Sequence, residues 1–217
     1  MATTANEDYI KTIYALESSG QRASTSRIAQ RLDVTMASVT GKIKHLAAAG
    51  YVRHTPYYGV TLTPKGRKLA LHTLRRHRLI ELFLVKTLGL RWDEVHADAE
   101  VLEHAISDKV LERMYEYLGR PEFDPHGAPI PAEDGSIKEL TGVRLSDLPS
   151  GARSRVLHVS DADGEFLRYL ASIDFTIGTA FTLRDRAPYG GPLRIRIGRR
   201  ELDIGPDAAE RILVCPS

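Results

Sequence analysis

Between His77 and His104 the chain sets His77, His96 and His104 at helical spacings from Glu81, Glu100 and Glu103. Imidazole nitrogens and carboxylate oxygens are ligands for first-row divalent metals, and residues three or four apart share a helix face. At about 100° per residue, His96 and His104 are offset by roughly 80° and about 12 Å along a helix. One ion therefore does not reach both. Two neighbouring sites on a seam between two helices fit the pattern better. Read one at a time, each of these residues is an ordinary exposed polar side chain, and it is their convergence that points to metal.

The elements that must position them can be read from periodicity. A helical face runs over residues 6–18 with Asn6 as N-cap, followed by helices at 24–32 and 35–50, the second capped by Thr35 and ended by Gly50. Strands at 51–53 and 59–62 flank a turn punctuated by Pro56 and Gly59. Helix, helix, hairpin in that order predicts a winged helix-turn-helix. A long helix is expected over 64–88, with Pro64 in its first turn and Gly89 at its end, then helices at 93–106 and 108–118. Residues 120–139, rich in Pro, Gly and Asp, read as a structured loop. Beyond Thr141 short alternating segments at 154–160, 175–185, 193–205 and 211–214, with one helix at 165–173, predict a small β-barrel.

Charge supports a nucleic-acid partner for the first part. The net charge of +2 hides eleven Lys/Arg against four acids in residues 1–75, and three bases against twelve acids in residues 93–134. A basic head is the footprint of a phosphate-backbone binder. The second helix of a helix-turn-helix reads base edges near its N-terminus, here Thr35, Met36, Ala37, Ser38, Thr40, Gly41 and Lys42. Arg27, Lys44, Arg53 and His54 are placed for phosphates, which fix position without specifying sequence. Nothing approaches 18 consecutive apolar residues, no signal pattern opens the chain, and the lone Cys215 has no internal disulfide partner. A cytoplasmic protein without a membrane partner is expected.

Several runs together resemble the metal-dependent repressors of the diphtheria-toxin-repressor type: EDYIKTIYALE at 7–17, HTPYYGVTLTPKGRKLA, RRHRLIE, VHADAEVLEH with ISD, and GAPIP at 127–131. The resemblance covers nearly the whole chain. It implies a homodimer of three-domain subunits: a winged helix at 1–72, a helical metal-binding and dimerisation domain at 73–140, and an SH3-like (FeoA-like) β-barrel at 141–217. By position it implies a primary site of Asp8, Glu100, Glu103 and His104. An ancillary site would use His77, Glu81 and His96, with third-domain ligands added in some members. Where iron-responsive members carry sulfur, this chain has Asp8 and Glu100. That exchange favours a hard ion, Mn²⁺ with Fe²⁺ as second choice, at two sites per subunit. Manganese-responsive members tend to have a carboxylate at the position of Lys11, a departure that bears on a closely spaced ion pair. Asp161, Asp163 and Glu165 are the third-domain candidates.

The function implied is a repressor of metal-homeostasis genes, its dimer ordered by metal for a palindromic operator. Two other classes compete with it. A metal-independent winged-helix regulator would sense a peptide or small molecule through its third domain. A metal-dependent hydrolase would need a catalytic base beyond the ligands, and no residue pattern offers one.

Overall fold

The computed structural model describes residues 4–55, 58–161 and 163–216, which form two compact units. Pro56, expected to punctuate the wing turn, and Ala162 lie outside the described residues. The first unit holds residues up to His77 together with Pro131–Ser136, and the second holds Arg78–Ile130 and Ile137 onward.

In the first unit, helix α1 (Thr4–Ser18) packs on α2 (Thr25–Leu32), which packs on α3 (Met36–Ala48), and the hairpin β1 (Val52–Thr55)–β2 (Gly59–Leu62) follows. Ile10, Ile13, Ile28, Val39, Leu46 and Val60 are among the buried side chains. Helix α1 starts earlier than Asn6, which is buried within it instead of capping it. The other caps follow the sequence. Ser24 accepts from the Arg27 amide, Thr35 accepts from the Ser38 amide, and Asp33 takes a left-handed φ of 52° between the helices. The strands pair antiparallel with Val52 opposite Leu62. Helix α4 (Pro64–Leu88) is entered through Thr63, whose hydroxyl donates to the Gly50 carbonyl and accepts from the Gly66 amide. This close approach leaves no room for a side chain at Gly66, where a Cβ would lie 2.0 Å from the Tyr51 carbonyl oxygen.

In the second unit, the end of α4 packs with α5 (Val95–Leu102) and α6 (Asp108–Tyr117) around Leu79, Ile80, Leu84, Val95, Ala99 and Leu111. Helix α5 is shorter than its expected 93–106 span. The Asp93 carboxylate is taken by Arg91 and Arg168, and the chain turns after Leu102 before Ser107 caps α6. The remaining residues form one antiparallel six-stranded sheet in the order β3-β8-β4-β5-β6-β7. The strands are β3 (Val143–Arg144), β4 (Arg153–Val159), β5 (Ala180–Arg186), β6 (Leu193–Ile197), β7 (Arg200–Ile204) and β8 (Ile212–Pro216).

The expected barrel is corrected by this topology. Among the described residues, β3 pairs only with β8 and β7 only with β6, so no ladder joins the two edges. The physical reason lies in the edges themselves. β3 is two residues long and runs straight into a 3₁₀ turn, Leu145–Asp147. The apolar core that a closed barrel would shield is covered instead by that turn, by α7 (Gly164–Ser172) and by α8 (Pro206–Glu210), through Leu145, Leu148, Phe166, Leu167, Leu170 and Ala209. The strand expected from 175 starts at Ala180, because residues 176–179 close a turn through the Thr179 hydroxyl. No described helix is long and apolar enough to cross a membrane.

Gly66→Ala places a methyl against a backbone oxygen that cannot move independently. It should lower stability by about 1–3 kcal/mol, the usual cost of overpacking, read as a reduced denaturant midpoint with an unchanged slope.

Candidate metal centre

Glu81, on α4, is fully buried, which requires its carboxylate to be met by positive charge or hydrogen-bond donors. Its Oε1 lies 3.3 Å from Nδ1 of His96 on α5, and its Oε2 lies 3.7 Å from Nδ1 of His126. His96 Nε2 is in turn 3.6 Å from Glu100 Oε1, one helical turn further along α5. Donor atoms of Glu81, His96 and Asp161 all fall within 4.8 Å of one another, as do those of Glu81, Asp124 and His126. Glu81 is the member common to both groups.

His126 is held by a tight turn. The Asp124 Oδ1 accepts from the amides of His126 at 2.8 Å and Ala128 at 2.9 Å, and the Ala128 carbonyl accepts from the Asp124 amide. Asp124 Oδ2 lies 3.5 Å from Arg78 Nε, and Arg78 also donates to the Pro129 carbonyl. Gly127 presses on strand β4 with a φ of 84°, and a Cβ there would sit 2.0 Å from the Leu157 carbonyl oxygen. The His126 ring stacks on Trp92 with centroids 5.7 Å apart, and its Nε2 is 2.8 Å from the Trp92 carbonyl. A carbonyl only accepts, so Nε2 carries a hydrogen, which leaves Nδ1 as the atom that faces Glu81, with a proton when the ring is charged and with a lone pair for a metal when it is neutral. An outer partner that fixes the tautomer in this way is what a histidine ligand requires.

Electrostatics in this pocket is dominated by crowded carboxylates. Burial, and then the charge of Glu81, push Asp124 up to about 6 against the opposing pull of Arg78, His126 and the Ala128 amide. For His126 burial works against the charged form. The Glu81 hydrogen bond and charge, with Asp124 and the Trp92 carbonyl, outweigh it and raise the imidazole to about 9. In metal-free protein these partners favour the protonated ring, whose Nδ1–H would face Glu81. His158 lies nearby and is lowered, by burial first and by Arg78 and His126, against Asp161.

The remaining sequence-predicted ligands are distributed as follows. Glu103 is buried just past the end of α5, with its Oε1 3.4 Å from Nε2 of His104. In the first unit, Asp8 is half-buried on α1 and His77 is buried on α4. Of the third-domain candidates, only Asp161 approaches Glu81 and His96. Asp163 caps α7 and pairs with Arg211 at 3.1 Å, and Glu165 faces solvent. Asp124 and His126 were not anticipated. Their signal was a DPH triplet directly ahead of the GAPIP run, inside a stretch read only as loop.

On the DNA-reading side, Arg27, Thr35, Met36, Ala37, Ser38, Thr40 and Lys44 are exposed, and Lys42 is half-buried over the Tyr9 ring. The Thr40 hydroxyl donates to the Met36 carbonyl at 2.8 Å, so toward a base edge it is left as an acceptor.

Family models cover most of this chain. Residues 1–60 match the iron-dependent repressor N-terminal DNA-binding domain, residues 63–132 the metal-binding and dimerisation domain of the same family, and residues 143–216 the FeoA domain. The iron-dependent repressor IdeR of Mycobacterium leprae is 32% identical over 221 residues, which span 96% of this chain and 95% of that protein. The chain belongs to the iron-dependent repressor family. It is a metal-dependent, DNA-binding transcriptional regulator and not an enzyme. The repressor is also similar to solved relatives. A manganese-dependent transcriptional repressor in complex with manganese is 39% identical with a TM-score of 0.91, covering 98% of this chain and 100% of that one. The manganese regulator SloR is 30% identical with a TM-score of 0.80, covering 98% of each chain.

The raised His126 value sets a pH dependence. Folded, metal-free repressor holds this proton more tightly than the unfolded chain, whose histidine titrates near its ordinary 6.5. The stabilisation is complete below that value and is lost as pH climbs through about 9. Metal-free repressor should show a falling denaturant midpoint over that window, and His126→Gln should flatten the profile there.

Proposed function

We propose that the repressor responds to Mn²⁺, with Fe²⁺ as the second ion, and that two ions bind each subunit. The observation that carries this reading is the donor set around buried Glu81: carboxylates of Asp124 and Asp161 and imidazoles of His96 and His126, with no thiolate. Hard oxygen and imidazole donors suit manganese and ferrous ions, whereas soft thiolate ligands select other metals. The residues present fit such an ion. A divalent cation there would neutralise the carboxylates that His126 otherwise balances with a proton. The second ion is assigned, from the family resemblance, to Asp8, Glu100, Glu103 and His104, and His77 joins Glu81 and His96 in the other set.

Metal occupancy, in this reading, raises the fraction of DNA-competent homodimer, which binds a palindromic operator of metal-homeostasis genes in the cytoplasm. Arg27 and Lys44 would contact phosphates, while Thr35, Met36, Ala37, Ser38, Thr40 and Lys42 would meet the major groove. The division into head, dimerisation domain and third domain at 1–72, 73–140 and 141–217 belongs to the same proposal.

Selection of genomic fragments by purified repressor with Mn²⁺, with anaerobic Fe²⁺, or with chelator tests the reading. A palindrome enriched only with metal is expected, and equal enrichment with chelator overturns it. Asp8→Ala should abolish metal-stimulated DNA binding while the dimer persists by sedimentation. Glu81→Gln should weaken Mn²⁺ binding by about 100-fold or more, since loss of outer partners alone costs about 10–100-fold. Fluorescence of Trp92, stacked on His126, reads that titration directly.

A further inference from the structure

The outward face of the C-terminal sheet carries arginines used neither by the metal centre nor by the DNA-reading helix. Residues 141–217 contain eleven arginines and no lysine. The register sets Arg153 of β4 opposite Thr182 of β5, and Thr182 opposite Arg196 of β6. Opposed residues share one face of a sheet. Their chain neighbours Ser154, Phe181 and Ile195 are buried on the other. Two strand spacings hold the Arg153 and Arg196 backbones about 9.5 Å apart. Between them lies a recess of about 280 Å³ lined also by Ala180, Thr182 and Gly198.

Nearer the β7 edge the arginines are neutralised: Arg194 meets Asp203 at 3.0 Å and Arg184 meets Glu201 at 4.0 Å. The pair around the recess is placed differently: Arg153 lies on β4, and Arg196 lies on β6 opposite Glu201, whose carboxylate is the one within reach of Arg184. Arg155 donates to the Gly178 carbonyl, and among the described residues Arg153 and Arg196 make no ion pair. A sheet that fixes like charges on the strands either side of β5, around a recess floored by small residues and a hydroxyl, is complementary to an anion. The planar guanidinium fork matches phosphate oxygens better than an ammonium does.

We propose that this face binds the phosphate backbone of double-stranded DNA, with Arg153 and Arg196 straddling a phosphodiester over Thr182 and without reading bases. Guanidinium forks suit carboxylates as well as phosphates, and what favours DNA over an acidic protein is that this chain is itself a DNA-binding regulator. A DNA-binding regulator also meets phosphodiesters wherever it acts.

The test uses the full chain and a non-operator duplex, with Mn²⁺ and separately with chelator, so that its result does not depend on which ion is sensed. Each phosphate contact contributes about 0.9 to the slope of log affinity against log salt. Arg153→Gln combined with Arg196→Gln should make that slope shallower by about two. Across a fourfold rise in salt the variant then loses roughly tenfold less affinity than the parent. The pair Arg153→Lys and Arg196→Lys should keep most of the slope, and the ratio of operator to non-operator affinity should not change. An unchanged slope in the glutamine variant overturns the proposal, as does an equal loss in the lysine variant, which would report a damaged sheet. Binding of a polyglutamate peptide that the glutamine variant loses, with the DNA slope intact, would assign the face to an acidic protein and overturn it too.

Discussion

A carboxylate sealed from water is the constraint on which the second unit is organised. Glu81 cannot be solvated, so its surroundings must supply charge, and α5 and the turn at 122–130 each bring a histidine to it. The requirement extends outward. Asp124 ties the turn through two backbone amides and is balanced by Arg78, which also holds the Pro129 carbonyl. Trp92 fixes the His126 ring by its carbonyl and its indole face. Each layer is ordered by the need to satisfy the one inside it. This is why buried polar networks specify a single arrangement.

The head unit depends on a different economy, in which short polar side chains bond to their own backbone. Ser24 and Thr35 complete helix N-termini, Asp33 supplies the left-handed residue between α2 and α3, and Thr63 joins the end of α3 to the start of α4. These bonds are local, so they are written in the sequence at fixed offsets from the helices they cap. At the exposed start of α3 the hydroxyls of Thr35 and Thr40 are engaged with the backbone in the same way, which limits the polarity they can present to a base.

Legibility in the sequence follows the range of the forces involved. Helix α4 is read to the residue because Pro64 and Gly89 bracket a long periodic run. The hairpin and the recognition helix are equally local features. Helix α5 is read by type but not by length, since its start is set by Asp93 pairing with Arg168, a residue far along the chain. Glu81 and His96 stand out by helical spacing, whereas Asp124 and His126 carry no periodicity and gain meaning only when the turn folds against β4. Sheet closure was misjudged for a related reason. Alternation shows that strands exist, but whether the first pairs with the last depends on edge length and on what covers the core, and here α8 and the 3₁₀ turn, too short to register in the pattern, join the legible α7 in covering it.

An open sheet leaves backbone donors and acceptors along β7 that a barrel would have consumed. Arg200, Glu201 and Asp203 stand exposed along that strand, with the two carboxylates flanking Leu202. A second copy approaching edge-on, antiparallel and centred on Leu202, would set Glu201 of each strand against Asp203 of the other, and like charges directly opposite oppose pairing. The opposite edge, at β3, offers two residues, too few to template another chain. The domain therefore keeps the rim of a half-finished sheet, and what guards that rim in this register is charge on residues that contribute nothing to the core.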